Sequence, residues 1–208
     1  MLVQPHPESK HRYSINEIFY SIQGEGVRAG TPNVFIRFAG CNLRCSVDGV
    51  GFNCDTDHAQ GDPYALEDII RSLEFMERDG CRNVVLTGGE PTLQVDGPLV
   101  DALKSLGWFI AIETNGTRDV VSGIDWITVS PKVPEDQLVQ LAANEVKYVI
   151  GPRGRFPESW VLADHYLISP AFNDSEVEPG ALNWCVALVM ANPGWRLSVQ
   201  QHKAWRVR

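Results

Sequence analysis

The sequence has no apolar run long enough to span a bilayer. Its longest, Trp184 to Ala191, falls far short of the ~20 residues a membrane helix needs. The opening stretch MLVQPHPESKHRYSI lacks the apolar core of a secretory signal, so the expected location is the cytoplasm. Basic residues are scarce, 18 Lys and Arg against 26 Asp and Glu, giving a formal net charge of −8. That balance argues against a protein whose main task is gripping nucleic acid, which takes a surplus of cations to displace counterions. No Pro/Gly/Ser linker, internal repeat or low-complexity tract divides the 208 residues. One domain over 1–208 is expected, with 1–12 as a flexible tail. Cysteine is also sparse: five residues, an odd number in a chain without an export signal. A disulfide framework is therefore disfavoured, and metal or redox chemistry comes forward.

Short β-branched runs alternate with longer helical patterns. NVFIRF (33–38), NVVLT (83–87), WFIAIET (108–114), WITVS (126–130), EVKYVIG (145–151) and YLIS (166–169) read as strands. Residues 65–79 and 97–106, and more weakly 135–143, carry apolar residues at helical spacing. Such alternation predicts an α/β fold with a mostly parallel sheet under helices, in which ligands gather at the carboxyl ends of the strands. Polar clusters follow four of the runs: Cys41, Thr87-Gly-Gly-Glu-Pro91, Glu113-Thr-Asn-Gly116 and Ser130-Pro-Lys132. They are expected on one rim.

Cys41, Cys45 and Cys54 fall within fourteen residues of a loop rich in Gly, Asn and Asp. Three thiolates suit a [4Fe–4S] cluster with one iron left open, whereas structural zinc takes four protein ligands. Zinc with His58 as fourth ligand is the competing reading, and spacing leaves both open. Cys81 and Cys185 flank or enter apolar segments and read as packing residues.

The C-x₃-C start, Cys54-Asp-Thr56 and Gly88-Gly-Glu-Pro91 resemble the radical S-adenosylmethionine superfamily. One departure stands out: eight residues, Ser46 to Asn53, separate the second and third cysteines where that superfamily usually has two. Loop closure tolerates such an insertion cheaply. Phe19-Tyr-Ser-Ile-Gln-Gly-Glu-Gly26, Arg37, Glu113-Thr-Asn-Gly-Thr117, Val129-Ser-Pro-Lys132 and Leu197-Ser-Val-Gln-Gln-His-Lys203 narrow the likeness to the 7-carboxy-7-deazaguanine synthase family.

That resemblance implies a modified, partly open (β/α) barrel. It implies contraction of 6-carboxy-5,6,7,8-tetrahydropterin with loss of ammonia, giving a deazapurine precursor of queuosine in transfer RNA. The cofactors would be a [4Fe–4S] cluster on Cys41, Cys45 and Cys54, S-adenosylmethionine, and Mg²⁺ on Thr56, beside Asp55. Reduction of the cluster would cleave the sulfonium to a deoxyadenosyl radical, which takes and later returns a substrate hydrogen. By the same likeness Ile22, Gln23, Gly24, Glu25, Arg37, Thr87, His202 and Arg208 would meet the pterin. Gly89, Glu90, Ser130, Pro131, Lys132 and Ser169 would meet S-adenosylmethionine. Glu113, Thr114 and Asn115 are equally well explained as a polar turn. An electron donor such as flavodoxin or ferredoxin and a homodimer are further implications. Two alternatives remain: another radical enzyme, such as a glycyl-radical activase, and a zinc-holding binding module.

Overall fold

The computed structural model describes residues 12–45, 54, 58–78, 80–173, 176–177 and 179–208. Apart from Arg12, the expected N-terminal tail lies outside these residues. In chain order the elements are β1 (Arg12–Ile22), β2 (Pro32–Phe38), β3 (Asp62–Ala65), α1 (Leu66–Met76), β4 (Asn83–Gly88) and α2 (Gly97–Ser105). Next come β5 (Phe109–Thr114), β6 (Trp126–Val129), β7 (Ala142–Ile150) and β8 (Leu162–Pro170). A small ribbon of β9 (Phe172–Asn173) and β10 (Glu176–Val177) precedes α3 (Pro179–Ala191), β11 (Trp195–Leu197) and α4 (Gln201–Trp205).

Nine strands form one sheet in the order β11-β8-β7-β6-β5-β4-β2-β1-β3. From β2 to β11 neighbouring strands are parallel, while β1 runs antiparallel to both β2 and β3. The sheet stays open, with β11 and β3 as its edges. One face nevertheless curls into a trough, because Glu25, just beyond β1, reaches Lys147 on β7, five strands away. This is the partly open barrel expected from the sequence.

Both faces of the central strands are covered, which is why those strands read as continuous apolar runs. On the convex side Ile36, Phe38, Val84, Leu86, Ile110 and Ile112 pack with Ile69 and Leu73 of α1 and Leu99 and Leu103 of α2. On the concave side Phe19, Phe35, Val85 and Ala111 form an apolar floor. Since side chains alternate along a strand, the next inward positions on β2, β4, β5 and β6 are Arg37, Thr87, Glu113 and Thr128. A polar rung thus sits directly above an apolar one, towards the carboxyl ends of the strands.

The short elements β3, β9, β10, β11 and α4 lie outside the sequence expectation, and three larger differences have a plain physical reason. Residues 135–143 hold only a 3₁₀ turn at Glu135–Gln137, and β7 already begins at Ala142. The Val139 and Gln140 amides donate instead to the Gly116 carbonyl, at 2.9 and 3.0 Å, so a tertiary pairing overrides a weak helical pattern. The strand β1 escapes a periodicity search because its register shifts between Ile15 and Glu17. One extra residue moves Tyr13 and Ile15 to the helix side and Phe19 to the floor. The helix α3 escapes because PGALNWCVALVMA is apolar nearly all round. It packs on β8 and β11 and buries Ala181 and Cys185.

Candidate active site

A cavity of about 410 Å³ opens above the polar rung. Cys41, Cys45 and Cys54 all line it, together with His58 and Arg44. Cys41 follows β2, and its Sγ accepts the Leu43 amide at 3.4 Å. Burial raises the Cys41 and Cys45 thiols, and the neighbouring Cys54 adds to the shift in both. Asp55, Thr56 and the Ser46–Asn53 insertion lie outside the described residues, so the expected Mg²⁺ ligand does too. Among the described residues no three His, Cys, Asp or Glu side chains gather tightly enough to hold one metal ion. A cubane cluster puts each thiolate on a different iron, so its ligands stand farther apart than ligands sharing one zinc. Three thiols that line one cavity without gathering around a single point fit the first arrangement better than zinc with His58.

The Gly-Gly-Glu-Pro turn fastens this cysteine loop to the sheet. The Gly89 amide donates to the Phe38 carbonyl at 3.0 Å, and the Glu90 amide to the Gly40 carbonyl at 2.9 Å. A Cβ on Gly89 would stand 2.0 Å from the Gly40 carbonyl oxygen; Gly88, at φ +121°, would meet the Phe38 oxygen at 2.2 Å. Both glycines are therefore required by backbone meeting backbone, while Gly89 still lines the cavity. Glu90 is fully buried. Its Oε1 accepts from Thr92 N (3.0 Å), Thr92 Oγ1 (2.6 Å) and Thr114 Oγ1 (2.7 Å), and its Oε2 from Asn115 N (2.8 Å). Glu90 thereby ties the ends of β4 and β5 together and does not line the cavity. Asn115 continues the chain by donating to Asn42 in the cysteine loop at 3.0 Å.

Glu113, which also lines the cavity, is the hub of a second polar network. Its two carboxylate oxygens accept from Gln23 Nε2 at 2.9 Å and Thr87 Oγ1 at 3.0 Å. Two residues expected to meet substrate are thus joined through a third. Glu25 and Lys147 form a buried ion pair in the same cavity. Burial alone would raise the Glu25 carboxyl, but the Lys147 ammonium outweighs it and holds the carboxyl down to about 2. Burial alone would lower Lys147; Glu25 and Glu113 outweigh it, and the ammonium is stabilised. Beneath this pair, buried Glu145 accepts the Val27 amide and the Thr128 hydroxyl, each at 2.8 Å.

The C-terminal segment closes over the loop that follows β1. The Gln201 amide donates to the Gly24 carbonyl at 2.9 Å, and the Gly26 amide to Ser198 Oγ at 2.9 Å. A Cβ on Gly24 would stand 2.2 Å from His202 Nδ1, so His202 packs directly on Gly24. Ser130, Lys132 and Ser169 line the cavity, with Lys132 Nζ donating to Ser130 Oγ at 2.7 Å. Pro131 is buried just behind them.

Of the residues expected to meet substrate, Glu25 and Thr87 line the cavity, whereas Ile22, Gln23, Gly24, Arg37, His202 and Arg208 stand outside its lining. Arg37 donates to Glu17 at 2.9 Å, and Glu17 also takes Arg208 at 2.9 Å. The backbone oxygen of Arg208 accepts the Ser21 hydroxyl at 2.6 Å. Lys147, Glu145, Gln200 and Ser198 are site residues that sequence reasoning missed. For Lys147 the signal was present: Glu145, Lys147 and Val149 share one face of a strand whose other face carries Val146, Tyr148 and Ile150 into the core.

Three cysteines, a Gly-Gly-Glu-Pro turn and a trough of parallel strands define an iron–sulfur enzyme class, and the family profile of the Radical SAM superfamily matches residues 35–161. The chain belongs to that superfamily, whose members use a [4Fe–4S] cluster and S-adenosylmethionine. It is 42% identical over 197 residues to the 7-carboxy-7-deazaguanine synthase of Bacteroides thetaiotaomicron, covering 93% of this chain and 98% of that one. It is 41% identical to the synthase of Burkholderia multivorans, covering 92% and 97%. The crystal structure of QueE from Escherichia coli superposes with a TM-score of 0.70 at 27% identity, over 91% of this chain and 94% of that one. Within the superfamily, the chain is a member of the 7-carboxy-7-deazaguanine synthase family. No helix of the described residues is long and apolar enough to cross a membrane.

Proposed function

We propose that this chain contracts the ring of 6-carboxy-5,6,7,8-tetrahydropterin to 7-carboxy-7-deazaguanine with loss of ammonia. One observation carries the reading: a single cavity is lined by three thiols, by Thr87 and Glu113, whose carboxylate also holds Gln23, and by the Glu25–Lys147 ion pair. Carboxylates and amides there complement the N–H and carbonyl groups of a pterin edge. Cys41, Cys45 and Cys54 would hold the cluster, and when bound, cluster and S-adenosylmethionine supply a carbon radical that takes a hydrogen atom from the substrate.

The protein's own part is to orient and to exclude water. Gln23 and Thr87, both fixed on Glu113, set the height of the pterin above the apolar floor. The Ser198–His202 segment covers the Gln23–Gly26 loop. Ser130, Lys132, Gly89 and Ser169 lie along the cavity beside the thiols and suit the polar parts of S-adenosylmethionine. Magnesium would be held at Thr56, a hard cation completing its shell with substrate and water oxygens. Arg37 would read the substrate carboxylate by exchanging its bond to Glu17. The chain acts as one domain, as a homodimer in the cytoplasm, with flavodoxin or ferredoxin as donor and without binding nucleic acid or membrane.

The test is anaerobic reconstitution followed by product analysis. Deazaguanine product with about four irons per chain supports the proposal. Stoichiometric zinc and no charge-transfer absorption would remove it.

A further inference from the structure

We infer that Lys147 is a positioning residue for substrate recognition: it fixes Glu25 as an ionised acceptor in the cavity, where Glu25 takes the paired amide and amino N–H edge of a 2-amino-4-oxopyrimidine ring. The inference rests on the function proposed above and assigns a role to a residue that the resemblance leaves unassigned.

The geometry starts with the backbone of the Gln23–Val27 loop, which is pinned on several sides. The Glu25 amide donates to Gln23 Oε1 at 3.1 Å, the Gly26 amide to Ser198 Oγ at 2.9 Å and the Val27 amide to Glu145 Oε2 at 2.8 Å. Glu25 therefore enters the cavity from a fixed base, and Lys147 holds its Oε2. The side chains of Glu25 and Lys147 are only 15% and 8% exposed. A carboxylate has about four lone-pair sites, so the Lys147 ammonium and the Gln200 amide leave room for about two further donors. Pyrimidine rings of this class present two adjacent N–H donors, which suit a carboxylate held in one plane.

Among the described residues, the charged groups that act on the pair come from α4, from β5 and from β7 itself. Glu25 faces Lys147 of β7 and His202 of α4, and the Gln200 amide also bonds to it. Lys147 faces Glu25, Glu113 of β5 and Glu145 of its own strand. Three carboxylates around one ammonium make Lys147 a poor proton donor, so its part is electrostatic and not acid catalysis. Glu25 is held ionised by Lys147 against its burial. Removing the ammonium leaves the desolvation, which moves the carboxyl upward. Substrate affinity should then fall as pH drops through the raised value.

The experiment uses anaerobically reconstituted holoenzyme and measures the Kd of carboxytetrahydropterin and of its 2-desamino analogue between about pH 5 and about pH 9, a span that lies above an ordinary carboxyl. Wild type should bind substrate with an affinity unaffected by Glu25 ionisation and reject the analogue by more than roughly tenfold, the consequence of a buried acceptor left unpaired. Lys147→Met should weaken binding progressively toward low pH, and Lys147→Arg should restore the wild-type profile. Glu25→Gln should lose discrimination against the analogue. In the Glu25→Gln/Lys147→Met double variant the new ionisation should disappear, which also covers the case in which Lys147→Met alone folds poorly. A low-pH loss that persists in the double variant, or a Lys147→Met profile identical to wild type, would overturn the inference. Wild-type holoenzyme that neither binds nor converts carboxytetrahydropterin would refute the proposed function instead, so the two failures are distinguishable.

Discussion

Replacing Glu90 with Ala removes the acceptor for four hydrogen bonds at once, all in a fully buried place. The two threonine hydroxyls can rotate toward other acceptors. The Thr92 and Asn115 amides cannot, because their directions are set by the backbone. Each stranded amide costs about 1–3 kcal/mol, so the pair costs about 2–6 kcal/mol before any water enters the gap. Against a native stability of about 5–15 kcal/mol, that is a large fraction. Glu90→Gln keeps one oxygen but turns an amide N–H₂ toward the Asn115 N–H, stranding one donor, at about 1–3 kcal/mol. Urea denaturation under reducing conditions measures both, provided the slope is unchanged between variants. The expected order of stability is wild type, then Glu90→Gln, then Glu90→Ala. A Glu90→Ala midpoint within about 0.5 kcal/mol of wild type would mean that the buried carboxylate is not the fastening between β4 and β5.

Other consequences are simpler. Gly89→Ala drives a Cβ to 2.0 Å from the Gly40 carbonyl oxygen, so the cysteine loop must move; iron content after reconstitution should fall, and full iron loading would contradict it. Glu113→Gln turns an amide donor toward either the Gln23 or the Thr87 donor, so KM for the pterin should rise while iron content holds. The Glu25 carboxyl is depressed from 4.5 to about 2, so its stabilisation is complete above pH 4.5 and is lost as pH falls toward 2. Denaturation midpoints of Glu25→Gln should accordingly lose part of the wild-type slope in that window.

How far the sequence discloses this arrangement depends on the physical signal each part leaves. The strands β2, β4, β5 and β6 are legible because both of their faces are buried and their ends carry Cys41, Thr87, Glu113 and Ser130. The first strand is not, because its bulge places Tyr13 and Phe19 on opposite faces. The helix α3 is not, because an apolar surface all round leaves no period to find. Among site residues, Cys41, Cys45, Cys54, Thr87, Gly89 and Lys132 are brought to one cavity. Glu113 looks like a turn residue until its two acceptor bonds are seen, and Glu90 looks like a ligand group until its four donors are counted. Arg37 shows the same limit: the pattern places it on the inward face, but only the structure shows Glu17 beside it. Pairings across the trough join residues more than a hundred positions apart, as for Glu25 and Lys147, and local spacing carries no trace of them.

The most direct measurement is the product of one anaerobic reaction. Reduced, reconstituted enzyme is supplied with S-adenosylmethionine, magnesium and 6-carboxy-5,6,7,8-tetrahydropterin. The expected result is 7-carboxy-7-deazaguanine with an equivalent of ammonium, lost when Cys45 is replaced by Ala. Deoxyadenosine released without deazaguanine, or full activity in Cys45→Ala, would contradict the assignment.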